Sequence, residues 1–154
     1  IVELAHISLS NGQYEVANDG FTYVMHKGPS EPFYFEALKG ALKSRYYIAE
    51  QQVATSISVY EKLNSDINAA FEEAGFNRET YELAIIQASI LTYQLDLPLE
   101  ARSIMERALM LPLRPEEQAN LKMHIADILL FQNEVWEATL LYSQVDKSMK
   151  NEPV

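Results

Sequence analysis

Residues 114–154 carry the pattern that most restricts how this chain can fold. Apolar side chains recur at spacings of three and four in two stretches, which are joined by Gln132-Asn133-Glu134. This spacing is typical of α-helices that bury one face. In the second stretch a small residue, Ala138, comes four positions before a large one, Tyr142. The segment therefore predicts a helical hairpin whose two helices approach closely at Ala138.

The same periodicity continues through the rest of the chain and predicts an all-α fold of about seven to eight helices, with essentially no β-strand. Helix-ending signals separate the segments, since Gly and Asn tolerate the left-handed conformation and Pro interrupts a helix. Asn64-Ser65-Asp66 favours a break within the fourth helix. The segments predicted before the hairpin are residues 1–11, 13–27, 33–47, 52–74, 77–94 and 98–110.

Small residues recur at a long period and predict a repeat. Ala17, Ala54, Ala101 and Ala138 are separated by 37, 47 and 37 residues. Phe21, Met105 and Tyr142 supply a large side chain four positions after three of them, whereas Ser58 breaks the pattern in the second copy. A recurring period of this size indicates a solenoid of stacked helical hairpins. The longer middle interval predicts an insertion or a lengthened helix around residues 64–77.

Two segments carry a resemblance to a known family. The run Gly12-Gln13-Tyr14-Glu15-Val16-Ala17, with Phe21 and Pro29, resembles the second half of a tetratricopeptide repeat. The run from Asn133 to Ala138, with Tyr142, is similar to it. The resemblance implies about four hairpins in a right-handed superhelix, and the C-terminal hairpin also resembles those of long bacterial repeat proteins. Arg45, Thr92 and Pro98 depart from the residue types usual in that family.

The sequence begins and ends within the helical pattern. Val2, Leu4, Ala5 and Leu9 are already at helical spacing, and the segment ending in Pro153-Val154 stops where another helix is expected. We therefore expect residues 1–154 to be a single repeat domain, truncated at both ends, that contacts neighbouring repeats of a longer chain. The sequence does not indicate a compartment.

Composition and motifs exclude several classes of function. The formal net charge of −10 disfavours binding to nucleic acids and to anionic membranes. No stretch of 18 apolar residues predicts membrane insertion, and the absence of cysteine excludes disulfides and thiolate sites. Glu3 and His6 match half of a di-iron carboxylate motif, but no second copy exists. We expect no catalytic residues, no bound metal and no cofactor.

The resemblance implies that the first helix of each hairpin lines a concave groove that binds a peptide. Asp127 is notable among the residues placed there, because it is a carboxylate within an apolar helix. The alternative for Ile86, Ile90 and Phe131 is burial against neighbouring repeats. The groove candidates are His6, Lys39, Lys43, Tyr46, Tyr47, Ile86, Ile90, Tyr93, Asn120, Met123, Asp127 and Phe131.

Three functions are compatible with these features. The repeat and the missing catalytic motifs favour a non-catalytic scaffold that binds a protein or peptide. A helical sensor or regulatory segment of a larger signalling protein is the alternative. The third is an enzyme whose site lies partly outside these residues, or a carboxylate-metal protein that uses Glu3 and His6.

Overall fold

The computed structural model describes the backbone of residues 1–151 and the side chains of residues 1–148. This part of the chain forms eight α-helices and no β-strand, which confirms the all-α prediction. The predicted stacking of hairpins into a solenoid stays a prediction. The helices are α1 Val2–Ser10, α2 Tyr14–Met25, α3 Tyr34–Gln51, α4 Ile57–Ala74, α5 Tyr81–Tyr93, α6 Pro98–Leu109, α7 Pro115–Phe131 and α8 Val135–Asn151.

The chain divides into two compact units of similar length. The N-terminal unit is Ile1–Phe76 and holds α1 to α4, and the C-terminal unit is Asn77–Val154 and holds α5 to α8. The prediction that residues 1–154 form one repeat domain stays a prediction.

The N-terminal unit is centred on Phe21, whose side chain is fully buried where α2 packs on α1 and α3. The surrounding core consists mainly of small residues, including Ala5, Ala17 and Ala37. Gly40 of α3 lies directly against the ring, because a Cβ atom at that position would be 2.6 Å from the Cε atoms of Phe21. The absence of a side chain at Gly40 therefore allows α2 and α3 to pack this closely.

The fourth helix completes the N-terminal unit by packing its apolar side on α3. Leu63, Ile67 and Ala70 are buried along this side. Arg45 of α3 forms a 2.8 Å ion pair with Asp66 of α4. Burial acts to raise the pKa of Asp66, but hydrogen bonds from Lys62 and Arg45 outweigh it, and the pKa of this carboxyl is lowered.

The C-terminal unit includes α5, a largely apolar helix with no separate polar face. Ten of its 13 residues are buried, among them Leu83, Ile90 and Leu91. A helix with this composition needs cover on every face. Within the unit, α6 and α7 pack on it, and α8 packs on α7. Leu121 of α7 is fully buried.

Three of the turns between paired helices share one backbone feature, a residue with a positive φ angle. Gly12, Asp96 and Asn133 adopt φ angles of 78°, 53° and 65°, and each comes five residues before a buried alanine. Glycine, asparagine and aspartate are the residues that adopt this left-handed conformation most readily. The buried alanines that follow are Ala17, Ala101 and Ala138, which confirms that these three predicted small-residue positions are packed.

The prediction for Ala54 is wrong. The third helix continues to Gln51 and α4 begins only at Ile57, so that Ala54 and Val53 are exposed in the connection. Thr55 Oγ1 donates a 2.5 Å hydrogen bond to the Ala49 carbonyl oxygen near the end of α3. Ala17, Ala101 and Ala138 are each the fourth residue of their helix. The fourth residue of α4 is Tyr60, which is buried.

The predicted break at residues 64–66 is also wrong, because α4 is continuous. Lys62 and Asp66 form a 3.0 Å ion pair across one helical turn, which supports the helix there. Both α3 and α4 contain 18 residues, whereas α2 and α6 contain 12. Counted from Tyr60 instead of Ala54, the intervals become 43, 41 and 37 residues, and the longer helices α3 and α4 lie in the two longer intervals. Gly75 ends α4 with a φ of 88°.

Candidate functional site

The C-terminal unit gathers three predicted groove residues at one surface. Tyr93 is the last residue of α5, and Asp127 and Phe131 lie one turn apart on α7. The rings of Tyr93 and Phe131 meet edge to face, with centroids 4.8 Å apart. Tyr142 of α8 joins them by donating a short hydrogen bond from its hydroxyl to Asp127 Oδ1. We call these four residues the aromatic–carboxylate patch.

The helical repeat of α7 explains why the predicted residues share a face. Asn120, Met123, Asp127 and Phe131 follow one another at spacings of three and four, and all four side chains are exposed. Side chains at these spacings line up along one side of a helix. Leu121, Ile125 and Ile128, on other sides of α7, are buried. The result is an exposed stripe on α7 that ends at the aromatic–carboxylate patch.

Both tyrosine hydroxyls of the patch have raised pKa values. The hydrogen bond to Asp127 raises the pKa of Tyr142 to about 12, with smaller contributions from burial and from the negative charge of Asp127. Burial raises the pKa of Tyr93, and the charge of Asp127 raises it further. Both phenols are neutral at physiological pH, as an unperturbed tyrosine also is.

Asp127 differs from Asp66 and Glu117 in its partners, and it resembles Glu50 and Glu73, which accept hydrogen bonds from the hydroxyls of Tyr60 and Tyr34. Asp66 is paired with Arg45 and Lys62, and Glu117 is paired with Arg78. Among the side chains of residues 1–148, no lysine or arginine pairs with Asp127. Its one hydrogen-bond donor there is the neutral Tyr142 hydroxyl. The carboxylate is thus exposed and oriented without a cation beside it.

The predicted residues of the N-terminal unit form two separate groups of contacts. His6 Nε2 lies 2.9 Å from Glu36 Oε1, and its ring packs edge-on against Phe21. Tyr47 stacks on Tyr14 with ring centroids 5.0 Å apart, and Tyr46 lies next to Tyr47.

The remaining candidates of the N-terminal unit are Lys39 and Lys43, which are half-buried on α3. They lie one turn apart, and Lys43 is one turn from Tyr47. Each lysine has interaction partners within the structure.

Ile86 and Ile90 lie on α5, and both are buried. Neither side chain is accessible to a partner in this structure, whereas burial against neighbouring repeats stays a prediction. Phe131 is different, because 60% of its surface is exposed. Since α5 is apolar on all sides, its sequence has no polar face that would distinguish surface from core.

Sequence reasoning missed a groove on the C-terminal unit, formed by α6, α7 and α8. It has a volume of about 250 Å³ and a largely apolar lining that includes Met105, Ile125 and Leu140. The Gln132 amide nitrogen lines it, buried and without a hydrogen-bond partner among the described residues. Trp136 of α8, although outside the groove lining, is also largely exposed. No local spacing predicts this groove, because three helices contribute to it.

The described part of the chain holds no group of three or more His, Asp or Glu side chains placed to bind a metal ion. His6, which forms the half-motif with Glu3, contacts the carboxylate of Glu36. None of the helices in the described region has the length and apolar character that crossing a membrane requires.

Comparison of the chain with protein families, with curated proteins and with solved structures found no match.

Proposed function

We propose that this chain is a non-catalytic helical-repeat module that binds a polypeptide partner through the aromatic–carboxylate patch. The observation that carries the proposal is the exposure of Tyr93 and Phe131, at 41% and 60%, around the carboxylate of Asp127. Aromatic side chains are enriched where proteins bind one another, because they bury a large area at little cost in conformational entropy.

The dimensions of the surface support an extended peptide as the ligand. The exposed stripe of α7 spans residues 120–131, which corresponds to a length of about 16 Å along the helix axis. An extended peptide advances about 3.3 Å per residue, so that roughly five residues would cover the stripe. Met123 in the middle of the stripe offers an adaptable apolar contact.

The repeated architecture supports a scaffold rather than an isolated hairpin. Three turns place a left-handed residue five positions before a buried alanine, at Ala17, Ala101 and Ala138. We propose that these hairpins stack as in a tetratricopeptide-like superhelix, in which first helices line a shared concave surface. The exposed face of α7, a first helix in this scheme, would lie on that surface.

A helical sensor remains the second candidate, and the groove between α6, α7 and α8 favours it. Apolar walls and a buried amide donor at Gln132 are typical of a site for a small ligand that carries an acceptor. A fragment screen followed by NMR separates the two proposals. Shifts at Ile125 and Leu140 would support the sensor, whereas shifts confined to the patch would support the peptide-binding module.

Selection from a random peptide library displayed on phage tests the proposal. We expect enriched peptides whose dissociation constants rise about tenfold in Phe131→Ala or Tyr93→Ala, the effect of losing an interface residue worth about 1.4 kcal/mol. Leu99→Ala is the matched control, since Leu99 is an exposed apolar residue on α6 of the same unit. If no peptide is enriched, or if the double alanine variant binds the peptides equally well, the proposal is wrong.

A further inference from the structure

The aromatic–carboxylate patch combines an exposed carboxylate with aromatic rings, and this combination selects for a particular ligand group. We infer that the patch binds a lysine or arginine side chain of the polypeptide partner, with the cation at Asp127 and its aliphatic stem against Tyr93 and Phe131. The inference rests on the proposed function and specifies the chemistry of the partner.

The carboxylate of Asp127 has unused capacity for hydrogen bonds. A carboxylate offers two oxygens and about four acceptor sites, and the Tyr142 hydroxyl occupies one site on Oδ1. Because Asp127 is exposed, the other sites are open to a donor from outside the chain. The bond to Tyr142 also holds the carboxylate in one orientation, which reduces the entropy lost when a cation binds.

The aromatic rings favour a basic side chain, because its aliphatic stem packs on a ring face and its positive charge is attracted by that face. In the edge-to-face pair of Tyr93 and Phe131, the hydrogens of one ring edge meet the face of the other ring, so that ring faces remain for a further contact. Cations bind to such faces within about 6 Å of the ring centroid. The chain itself has an example, with Lys27 Nζ 5.2 Å from the centroid of the Tyr23 ring.

The net charge of the chain also favours a basic ligand, and it acts over a longer range. The chain has a formal net charge of −10, which attracts a basic segment towards the surface and repels an acidic one. An anionic group at the patch would also lie beside Asp127. A neutral apolar side chain would contact the rings but would leave the carboxylate partly desolvated and unpaired, which is unfavourable.

Paired synthetic peptides test the inference on the intact chain. The probes are acetyl-Leu-Ala-Arg-Ala-Leu-amide and the same peptide with citrulline, which keeps the shape of arginine but has no charge. Binding is followed by the amide NMR shifts of ¹⁵N-labelled protein. We expect shifts around Asp127 and Phe131, and an affinity at least tenfold higher for the arginine peptide. Half-molar salt should reduce this preference.

Three variants separate charge recognition from a structural role of Asp127. Asp127→Asn keeps an acceptor for Tyr142 but removes the charge, and it should abolish the preference for arginine. Tyr142→Phe keeps the charge and should retain the preference. Glu100→Gln removes an exposed charge from α6 of the same unit and should have no effect on the preference.

The possible results distinguish this inference from the proposed function. Equal binding of both peptides at the patch would overturn the inference while leaving a peptide-binding surface. Loss of the arginine preference in Tyr142→Phe with retention in Asp127→Asn would also overturn it. If the arginine peptide causes no shifts at 5 mM, the inference is wrong, and the library selection with its Tyr93 and Phe131 variants decides the proposed function separately.

Discussion

The pairing of Asp127 with Tyr142 is the residue-scale feature with the clearest measurable consequence. The Tyr142 hydroxyl donates a hydrogen bond to the Asp127 carboxylate. This hydrogen bond raises the pKa of Tyr142 from about 10 to about 12. A pKa that is raised in the folded state means that folding favours the protonated phenol. The stabilisation from this pair is therefore fully present below about pH 10 and is lost as the pH rises towards 12.

Asp127→Asn should lower the pKa of Tyr142 towards 10, because the neutral amide binds the phenol proton less strongly than the carboxylate does. A pH titration of ¹³Cζ-labelled tyrosines by NMR measures this pKa directly. Tyr93 should shift in the same direction by a smaller amount, since the charge of Asp127 is only the second cause of its raised pKa.

Glu100→Gln serves as the control for that titration and should leave both tyrosine pKa values unchanged. A Tyr142 pKa that stays near 12 in Asp127→Asn would contradict the hydrogen bond as its main cause.

In each hairpin the fourth residue of the second helix is buried. This residue is a buried alanine in α2, α6 and α8, at Ala17, Ala101 and Ala138. In α4 it is Tyr60, a much larger buried side chain. The second hairpin therefore accommodates bulk where the others have a small contact, and α3 packs on α4 less extensively than the helices of the other pairs pack on each other.

Ala138→Leu should destabilise the C-terminal unit by about 1–3 kcal/mol, because the added atoms overpack the contact between α7 and α8. Ala54→Leu should change stability by no more than about 0.5 kcal/mol, because Ala54 is exposed in the connection between α3 and α4. Urea denaturation followed by circular dichroism measures both.

The pair of variants distinguishes the repeat register of the structure from that of the sequence alignment. Similar losses of stability in Ala138→Leu and Ala54→Leu would favour the alignment and would contradict the position of Ala54 in the structure. An unchanged stability in Ala138→Leu would mean that the contact at α8 is not tightly packed.

At the scale of the whole molecule, the chain is organised as two units that each bury their own apolar core. Leu42, Leu63 and Ile67 are central to the N-terminal unit, and Leu83 and Leu121 to the C-terminal unit. A compact unit with its own core is the usual basis of cooperative unfolding. The proposed peptide-binding surface belongs to the C-terminal unit.

Leu63→Ala should therefore destabilise the N-terminal unit more than the C-terminal unit. Removing a buried leucine side chain costs about 2–5 kcal/mol, and amide hydrogen exchange measured by mass spectrometry should increase more in residues 1–76 than in residues 77–151. Leu121→Ala is the reciprocal variant and should produce the opposite distribution. Equal increases in both units from either variant would contradict separate cores.

The sequence indicated which side chains of α7 share a face, whereas their role in binding stays a prediction. The resemblance implies groove positions for Tyr93, Asp127 and Phe131, and helical register alone places Asp127 and Phe131 on one face of α7. The same register placed Ile86 and Ile90 among the candidates, although both are buried, as are ten of the 13 residues of α5. The hydrogen bond from Tyr142 could not be predicted, since it depends on how α8 sits against α7.

The sequence by itself determined the helices and most of their ends. Helical periodicity and residues such as Gly12, Gly75 and Asn133 act through contacts only a few residues long, so they can be recognised without knowing the fold. The tertiary structure alone decided where α4 begins, which faces are covered, and that Tyr142 meets Asp127. These features depend on side chains that are distant in sequence and adjacent in space, and no local pattern encodes such contacts.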